Sequence, residues 1–316
     1  MTVRFPLGPF TPYAGNPVLR PRGRGWESGN LYNPAAAVVD DSVVLLYRAH
    51  GADLVSRIGI ATSDDGRTFS RETHPVLEPE HDYESKGCED PRLALIEGVW
   101  HLTYTGFDGS SALLCLATST DLRGWTKHGP MLPDFDTWAA SPWVPHLRPR
   151  RPWNKAGVLH SRRLGGKWWM WFGESSIYAA TSDDLRTWTP VSDELEPLHR
   201  PTPGRWDGDL VEIGAPPVET DDGLLVFLTN GARVEDVATR AVRYSCGQIA
   251  VRASDPGTLY AATDEPWLSP ATLEDAVGLV PNVTFVQGLV QHRGEWLAYY
   301  GQADTTLALA TADASR

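Results

Sequence analysis

The sequence predicts an all-β protein built as a five-bladed β-propeller. Three observations carry this: long amphipathic helical patterns are scarce, short β-rich runs recur throughout, and a turn phrase returns along the chain. The runs are Val43–Tyr47, Trp100–Tyr104, Lys167–Phe172, Leu224–Thr229 and Trp296–Tyr300, all rich in apolar and aromatic residues and of strand length. The phrase reads Ala61-Thr-Ser-Asp-Asp-Gly-Arg-Thr-Phe69, then Ala117-Thr-Ser-Thr-Asp-Leu-Arg-Gly-Trp125, then Ala180-Thr-Ser-Asp-Asp-Leu-Arg-Thr-Trp188. Weaker echoes stand at Arg252-Ala-Ser-Asp-Pro256 and Ala310-Thr-Ala-Asp313, giving intervals of 56, 63, 72 and 58 residues. Five units therefore fill residues 1–316 as one domain. Each is somewhat longer than the roughly 40–50 residues of common propeller blades, which leaves room for a loop insertion per blade. A single small sheet cannot bury both faces, whereas five arranged radially bury each face against a neighbour and leave a central funnel. Phe69, Trp125 and Trp188 are expected to fill the gaps between blades.

Composition narrows the function. The 316 residues carry 28 cations against 40 anions, a net charge of −12, with a pI near 5.2, and the cations do not cluster. A nucleic-acid surface is excluded on that ground. The first residues lack the apolar stretch of a signal peptide, and no window reaches the roughly 18–20 apolar residues of a membrane span. The expectation is a cytoplasmic protein with no membrane partner. Cys88, Cys115 and Cys246 are widely spaced, with no zinc-type pattern, and are expected to be buried thiols; the nine His residues are scattered. No metal or cofactor is expected.

In a propeller the innermost strand of each blade lines the funnel, so a site should show as one polar cluster per repeat. Asn33-Pro34 and Arg48 supply it in the first repeat, Glu89-Asp90-Pro91-Arg92 in the second, and Asn154-Lys155 with Glu174 in the third. Glu212, before Gly214 and Pro216-Pro217, supplies it in the fourth, and Gln287-Gly288 with Asp304 in the fifth. Glycine and proline beside these groups fix the backbone and let a ligand approach. Asp90, Glu174 and Glu212 converging on one pocket have the ingredients of glycoside hydrolysis: one carboxylic acid to protonate the leaving oxygen, and one carboxylate to activate water or attack carbon. Crowding carboxylates also raises one pKa.

These residues resemble glycoside hydrolase family 130, the inverting mannoside phosphorylases and mannosidases built on a five-bladed propeller. The resemblance covers nearly the whole chain. It rests on Tyr32-Asn33-Pro34, Tyr47-Arg48, Ser56-Arg57-Ile58-Gly59, Gly87-Cys88-Glu89-Asp90-Pro91-Arg92, Leu102-Thr103-Tyr104-Thr105, Gly288-Leu289-Val290 and Tyr299-Tyr300-Gly301-Gln302-Ala303-Asp304. It implies Asp90 as proton donor, with Asn33, Arg48 and Asp304 holding the sugar and Arg57, Tyr104 and Lys155 as further substrate-binding residues.

Phosphorylases of the family hold inorganic phosphate with Arg, Lys and His. Here the strand after Tyr104 carries no Arg, Glu174 follows Phe172-Gly173 where the phosphorylases have a His-Arg pair, and Glu212 adds a second carboxylate. Like charges in a partly dry pocket would repel a phosphate dianion. The reading is therefore an inverting exo-β-mannosidase acting on short β-1,2-linked manno-oligosaccharides, with Glu212, or else Glu174, as base. A mannoside phosphorylase, a silent sugar-binding propeller and an arabinanase-like glycosidase are the alternatives. Gln287 stands where hydrolase relatives more often have Glu. Trp138, Trp143 and Trp153, in the insertion 133–153, are candidates to stack on the sugar of the aglycone. Linkage, chain length and a homo-oligomeric state stay open.

Overall fold

The computed structural model describes residues 5–139, 152–239 and 241–314. Its strands form five antiparallel sheets, each ordered from the funnel outward. Blade 1 runs Asn30–Val39, Ser42–His50, Arg57–Ser63 and Ser70–Arg71; blade 2 runs Gly87–Ile96, Val99–Phe107, Ala112–Ser119 and Thr126–Pro130. Blade 3 is Val158–Leu159, Trp168–Phe172, Tyr178–Ser182 and Thr189–Pro190. Blade 4 is Leu210–Ile213, the long hairpin Leu224–Asp236 and Ala241–Arg252, then Asp255–Ala262. Blade 5 takes three strands from the C-terminal part, Thr284–His292, Glu295–Gln302 and Thr306–Asp313, and its outer strand, Thr11–Pro12, from the N-terminal part. The five β-rich runs of the sequence are thus the second strands of the five blades.

The turn phrase recurs because it encodes a side-chain turn between third and fourth strands. In blade 1 Ser63 Oγ donates to Asp65 Oδ1, which also accepts the backbone N–H groups of Arg67 and Thr68. Ser119 with Asp121, and Ser182 with Asp184, repeat the same bonds in blades 2 and 3. A carboxylate holding two successive N–H groups replaces the backbone bonds a tight turn would otherwise lack.

Five apolar clusters lie one between each pair of neighbouring blades. The aromatic that ends each turn phrase enters one of them: Phe69 meets Tyr299 edge-on between blades 1 and 5, Trp125 packs between blades 1 and 2, and Trp188 is buried between blades 2 and 3. Near the axis the inner strands come too close for side chains. A Cβ on Gly288 of blade 5 would lie 2.8 Å from the Pro34 carbonyl of blade 1, and one on Gly214 would lie 2.7 Å from the Val286 carbonyl, so only glycine fits there. Cys88, Cys115 and Cys246 are buried free thiols.

Candidate active site

The innermost strands of blades 1 and 2 are interrupted in the same way. The ladder skips from Tyr32 to Ala35 and from Glu89 to Arg92, and at each bulge a residue of positive φ, Asn33 at 52° or Asp90 at 51°, precedes a proline. Asn and Asp are the non-glycine residues that best tolerate this backbone, and the bulge re-aims their side chains into the funnel. Blade 3 brings in Lys155 and Glu174, blade 4 brings Glu212 and Tyr244, and the turn after Glu295–Gln302 brings Asp304. Together with Arg48 and an apolar wall of Val280, Val283 and Phe285, these residues line one cavity of about 180 Å³. It is smaller than the roughly 300–1,000 Å³ that encloses a drug-sized ligand, and suits one sugar ring.

Its charges form a connected network. The Arg48 guanidinium donates to Asp90 Oδ1 at 2.8 Å and to Glu89 Oε1 at 2.5 Å, and lies 4.4 Å over the Tyr32 ring. Lys155 Nζ donates to Asp90 Oδ2 at 3.2 Å and pairs with Glu174 Oε1 at 3.5 Å, so one ammonium bridges two carboxylates. The other Glu174 oxygen accepts the indole N–H groups of Trp153 at 2.6 Å and Trp138 at 3.2 Å. Arg92, buried below the cavity, spans blades 2 and 4: it donates to the Asp90, Ile213 and Gly214 carbonyls and to Glu212 Oε1 at 3.1 Å.

Protonation follows from these contacts. Burial pushes the Glu212 carboxyl up to about 7; Lys155 and Arg92 oppose this while Glu174 and Asp90 add to it. Burial likewise raises Asp304 to about 6, against the pull of Arg48. Asp90 goes the other way. Burial alone would raise it, but Lys155, Arg48 and Arg92 hold its carboxyl well below the usual carboxylate range. Burial would also discharge Lys155, yet Glu174, Asp90 and Glu212 keep it protonated.

Of the residues singled out in the sequence, Asn33, Arg48, Asp90, Lys155, Glu174, Glu212 and Asp304 share this cavity. Two do not. Tyr104 faces the core between blades 1 and 2, because strand alternation turns it away from the funnel, and its hydroxyl donates to buried Glu84 at 2.8 Å. Arg57 is held by Asp53 at 3.0 Å, Glu78 at 3.7 Å and the Val55 carbonyl, outside the cavity lining. Asn154 is a structural clip, bonded to Leu114, Leu132 and Phe135 backbone groups. Trp143 lies outside the described residues, and Trp138 and Trp153 spend their N–H groups on Glu174. Sequence reasoning missed Tyr244 and the apolar wall, which come from the blade 4 hairpin, the segment before blade 5 and the start of the blade 5 inner strand, with no repeated motif to mark them. Arg92 belongs to the Glu89-Asp90-Pro91-Arg92 motif, but its reach to Glu212 and the Ile213 and Gly214 carbonyls of blade 4 is a long-range contact that no local motif marks.

A family model described as beta-1,4-mannooligosaccharide phosphorylase matches residues 18–316. The chain belongs to glycoside hydrolase family 130. This family 130 member is 32% identical over 306 residues to the 1,2-beta-oligomannan phosphorylase of Thermoanaerobacter sp. (strain X514), covering 93% of this chain and 94% of the relative. It is 29% identical to the beta-1,2-mannobiose phosphorylase of the same organism, over 95% of this chain and 96% of that one. Among solved structures, a putative glycoside hydrolase from Parabacteroides distasonis ATCC 8503 superposes with a TM-score of 0.85 at 34% identity, covering 97% of both chains. Another, described by the words "The GH130 family of mannoside phosphorylases contains glycoside hydrolases that target beta-1,2 mannosidic linkages in Candida mannan", gives 0.83 at 32% identity, over 97% of this chain and 94% of that one. The family 130 chain is therefore a mannoside-active enzyme by kinship with both phosphorylases and hydrolases.

Proposed function

We propose that the protein is an inverting exo-β-mannosidase that removes single mannose units from short β-1,2-linked manno-oligosaccharides, with water rather than phosphate as nucleophile. One observation carries this reading: every cation at the cavity among the described residues is already matched by carboxylate. Arg48 is held by Asp90 and Glu89, Lys155 by Asp90 and Glu174, and Arg92 by Glu212. Among the described residues, five carboxylates, counting Glu89 and Asp304, face three cations. A phosphate dianion entering there would meet net negative charge in a site where charge interactions are strong. Water meets no such barrier, and carboxylates are what it needs for activation.

In this reading the mannose ring occupies the cavity against Asn33, Arg48 and Asp304, and the leaving sugar lies toward the mouth. Asp90 delivers the proton to the glycosidic oxygen, directly or through a hydroxyl of the bound sugar. Glu212, titrating near 7, removes a proton from the attacking water, and Glu174 orients that water. Water adds to the anomeric carbon on the face opposite the departing oxygen, so the β-linkage yields α-mannose. Proton NMR of the first turnover on β-1,2-mannotriose, whose leaving group is mannobiose, tests this: the released mannose should appear first as the α-anomer and then mutarotate, and initial β-mannose would refute inversion.

The charge state of Asp90 favours a second assignment of the same reaction. Asp90 is ionised between its cations, whereas Glu212 is half protonated at neutral pH, and a pair of carboxyls with pKa values pushed apart ordinarily uses the higher one as the acid. Glu212 would then donate the proton, and Asp90 would activate the water.

A further inference from the structure

We infer that Gln287 is a positioning residue whose neutral, two-donor amide holds both funnel bulges, and through them Asn33 and Asp90, in register. The inference rests on the proposed role of those two residues in sugar hydrolysis. Gln287 is buried, 1% exposed, and sits at a break in its own ladder, where pairing skips from Val286 to Gly288. Its amide is released from sheet duty and turned across the axis. Nε2 donates to the Asn33 carbonyl at 3.1 Å and to the Pro91 carbonyl at 2.5 Å, and Oε1 accepts from Asn33 Nδ2 at 3.1 Å. One side chain of blade 5 thus ties the bulge of blade 1 to the bulge of blade 2.

The chemistry of the partners dictates the residue type. Both backbone partners are acceptors, so position 287 must supply two N–H groups at once, and Asn33 presents a donor that needs an acceptor. Glutamine alone among side chains of this length meets all three demands while neutral. The contact also fixes the Asn33 amide: with one Nδ2 proton spent on Gln287, Oδ1 and the other proton are what it offers a sugar hydroxyl. Asn33 and Asp90 each hold a positive φ before proline, a backbone the surrounding structure must enforce, and the shared clamp does so for both.

A carboxylate in the same place would face two carbonyl oxygens, and the charged groups gathered around the axis are Arg48 from blade 1, Asp90 and Arg92 from blade 2, Lys155 from blade 3, Glu212 from blade 4 and Asp304 from its own blade. It would have to take up a proton to donate even one of the two bonds. Its pKa in the folded state is then raised above its unfolded value, so the stability it contributes is complete below the unfolded pKa and is lost as pH rises through the folded one.

The test compares Gln287→Glu and Gln287→Met with the wild type across pH 4.5 to 8.5, by melting temperature and by kcat and KM on β-1,2-mannobiose well below the melting transitions. Met keeps length without hydrogen bonds and should lower kcat about 100-fold at every pH, the size of loss that misplacing reacting groups by about 1 Å produces. For Gln287→Glu the kcat ratio to wild type should recover as pH falls, and its melting deficit should grow as pH rises. A purely structural role would lower melting temperatures and leave kcat ratios near one, which would overturn the inference, as would a Gln287→Glu deficit independent of pH. Should the wild type hydrolyse no mannoside, the proposed function fails by itself. The pH-dependent melting deficit and weakened mannose binding by calorimetry would then still decide the clamp.

Discussion

A carboxyl that titrates near 7 behaves oppositely as a base and as an acid, so the pH profile separates the two roles of Glu212. As base it works ionised, and kcat/KM rises with pH through about 7; as acid it works protonated, and activity falls through the same range. Leaving groups give an independent separation. A donor variant keeps activity on an aryl β-mannoside whose phenolate leaves unaided, while a base variant loses it on every substrate. Asp90→Asn should therefore retain aryl mannoside turnover but fail on β-1,2-mannobiose, and Glu212→Gln should fail on both; the reverse pattern establishes the swapped assignment. The same raised pKa has a stability consequence. Glu212 contributes stability below its unfolded pKa that is lost as pH rises through about 7, so the wild-type melting temperature should fall between pH 5 and 8, and Glu212→Gln should flatten part of that slope. The conflicting pulls on Asp90 were not legible in the sequence, because they come from Arg48 and Lys155, which reach it from blades 1 and 3.

At the scale of elements, aromatic residues that look alike in the sequence have separate duties. Trp188 is 6% exposed in the core between blades 2 and 3, so Trp188→Ala should cost about 3–5 kcal/mol in urea unfolding and leave kcat of the folded enzyme unchanged. Trp153→Phe keeps most of the ring but removes the 2.6 Å bond to Glu174. Hydrogen bonds to charged groups contribute about 1.5–3 kcal/mol, so if that bond orients Glu174 for catalysis, kcat should fall roughly 10- to 100-fold with little change in unfolding midpoint. The turn phrase made blades 1 to 3 readable because its Ser and Asp are local turn chemistry, confined to a few residues. The insertion Trp residues were readable only as candidates for stacking: their bonds to Glu174 join segments apart in the chain, and periodicity carries no information about such contacts.

The whole molecule is a ring, and its closure is a long-range event. Thr11–Pro12 pairs with Thr306–Asp313, Asn16 bonds both the N–H and the carbonyl of Leu309, and Leu19 bridges Leu307. With this segment in place the ring should unfold in one calorimetric transition. Removal of residues 1–20 should strip the outer strand from blade 5, expose the edge of Thr306–Asp313, and lower the melting temperature more than any single side-chain change; an unaltered melt would contradict the closure. The number of blades was legible from repeat spacing, but this exchange of strands between chain ends was not, since no turn phrase marks Thr11–Pro12. The central claim also belongs to the whole cavity: among the described residues, each of its cations is paired with carboxylate, which is the ground for proposing water as the nucleophile. Incubation of the enzyme with β-1,2-mannobiose in phosphate-free buffer, with and without added inorganic phosphate, tests it most directly by chromatography of the products. The account predicts free mannose at the same rate in both, with no sugar phosphate; mannose 1-phosphate formed only when phosphate is present would contradict it.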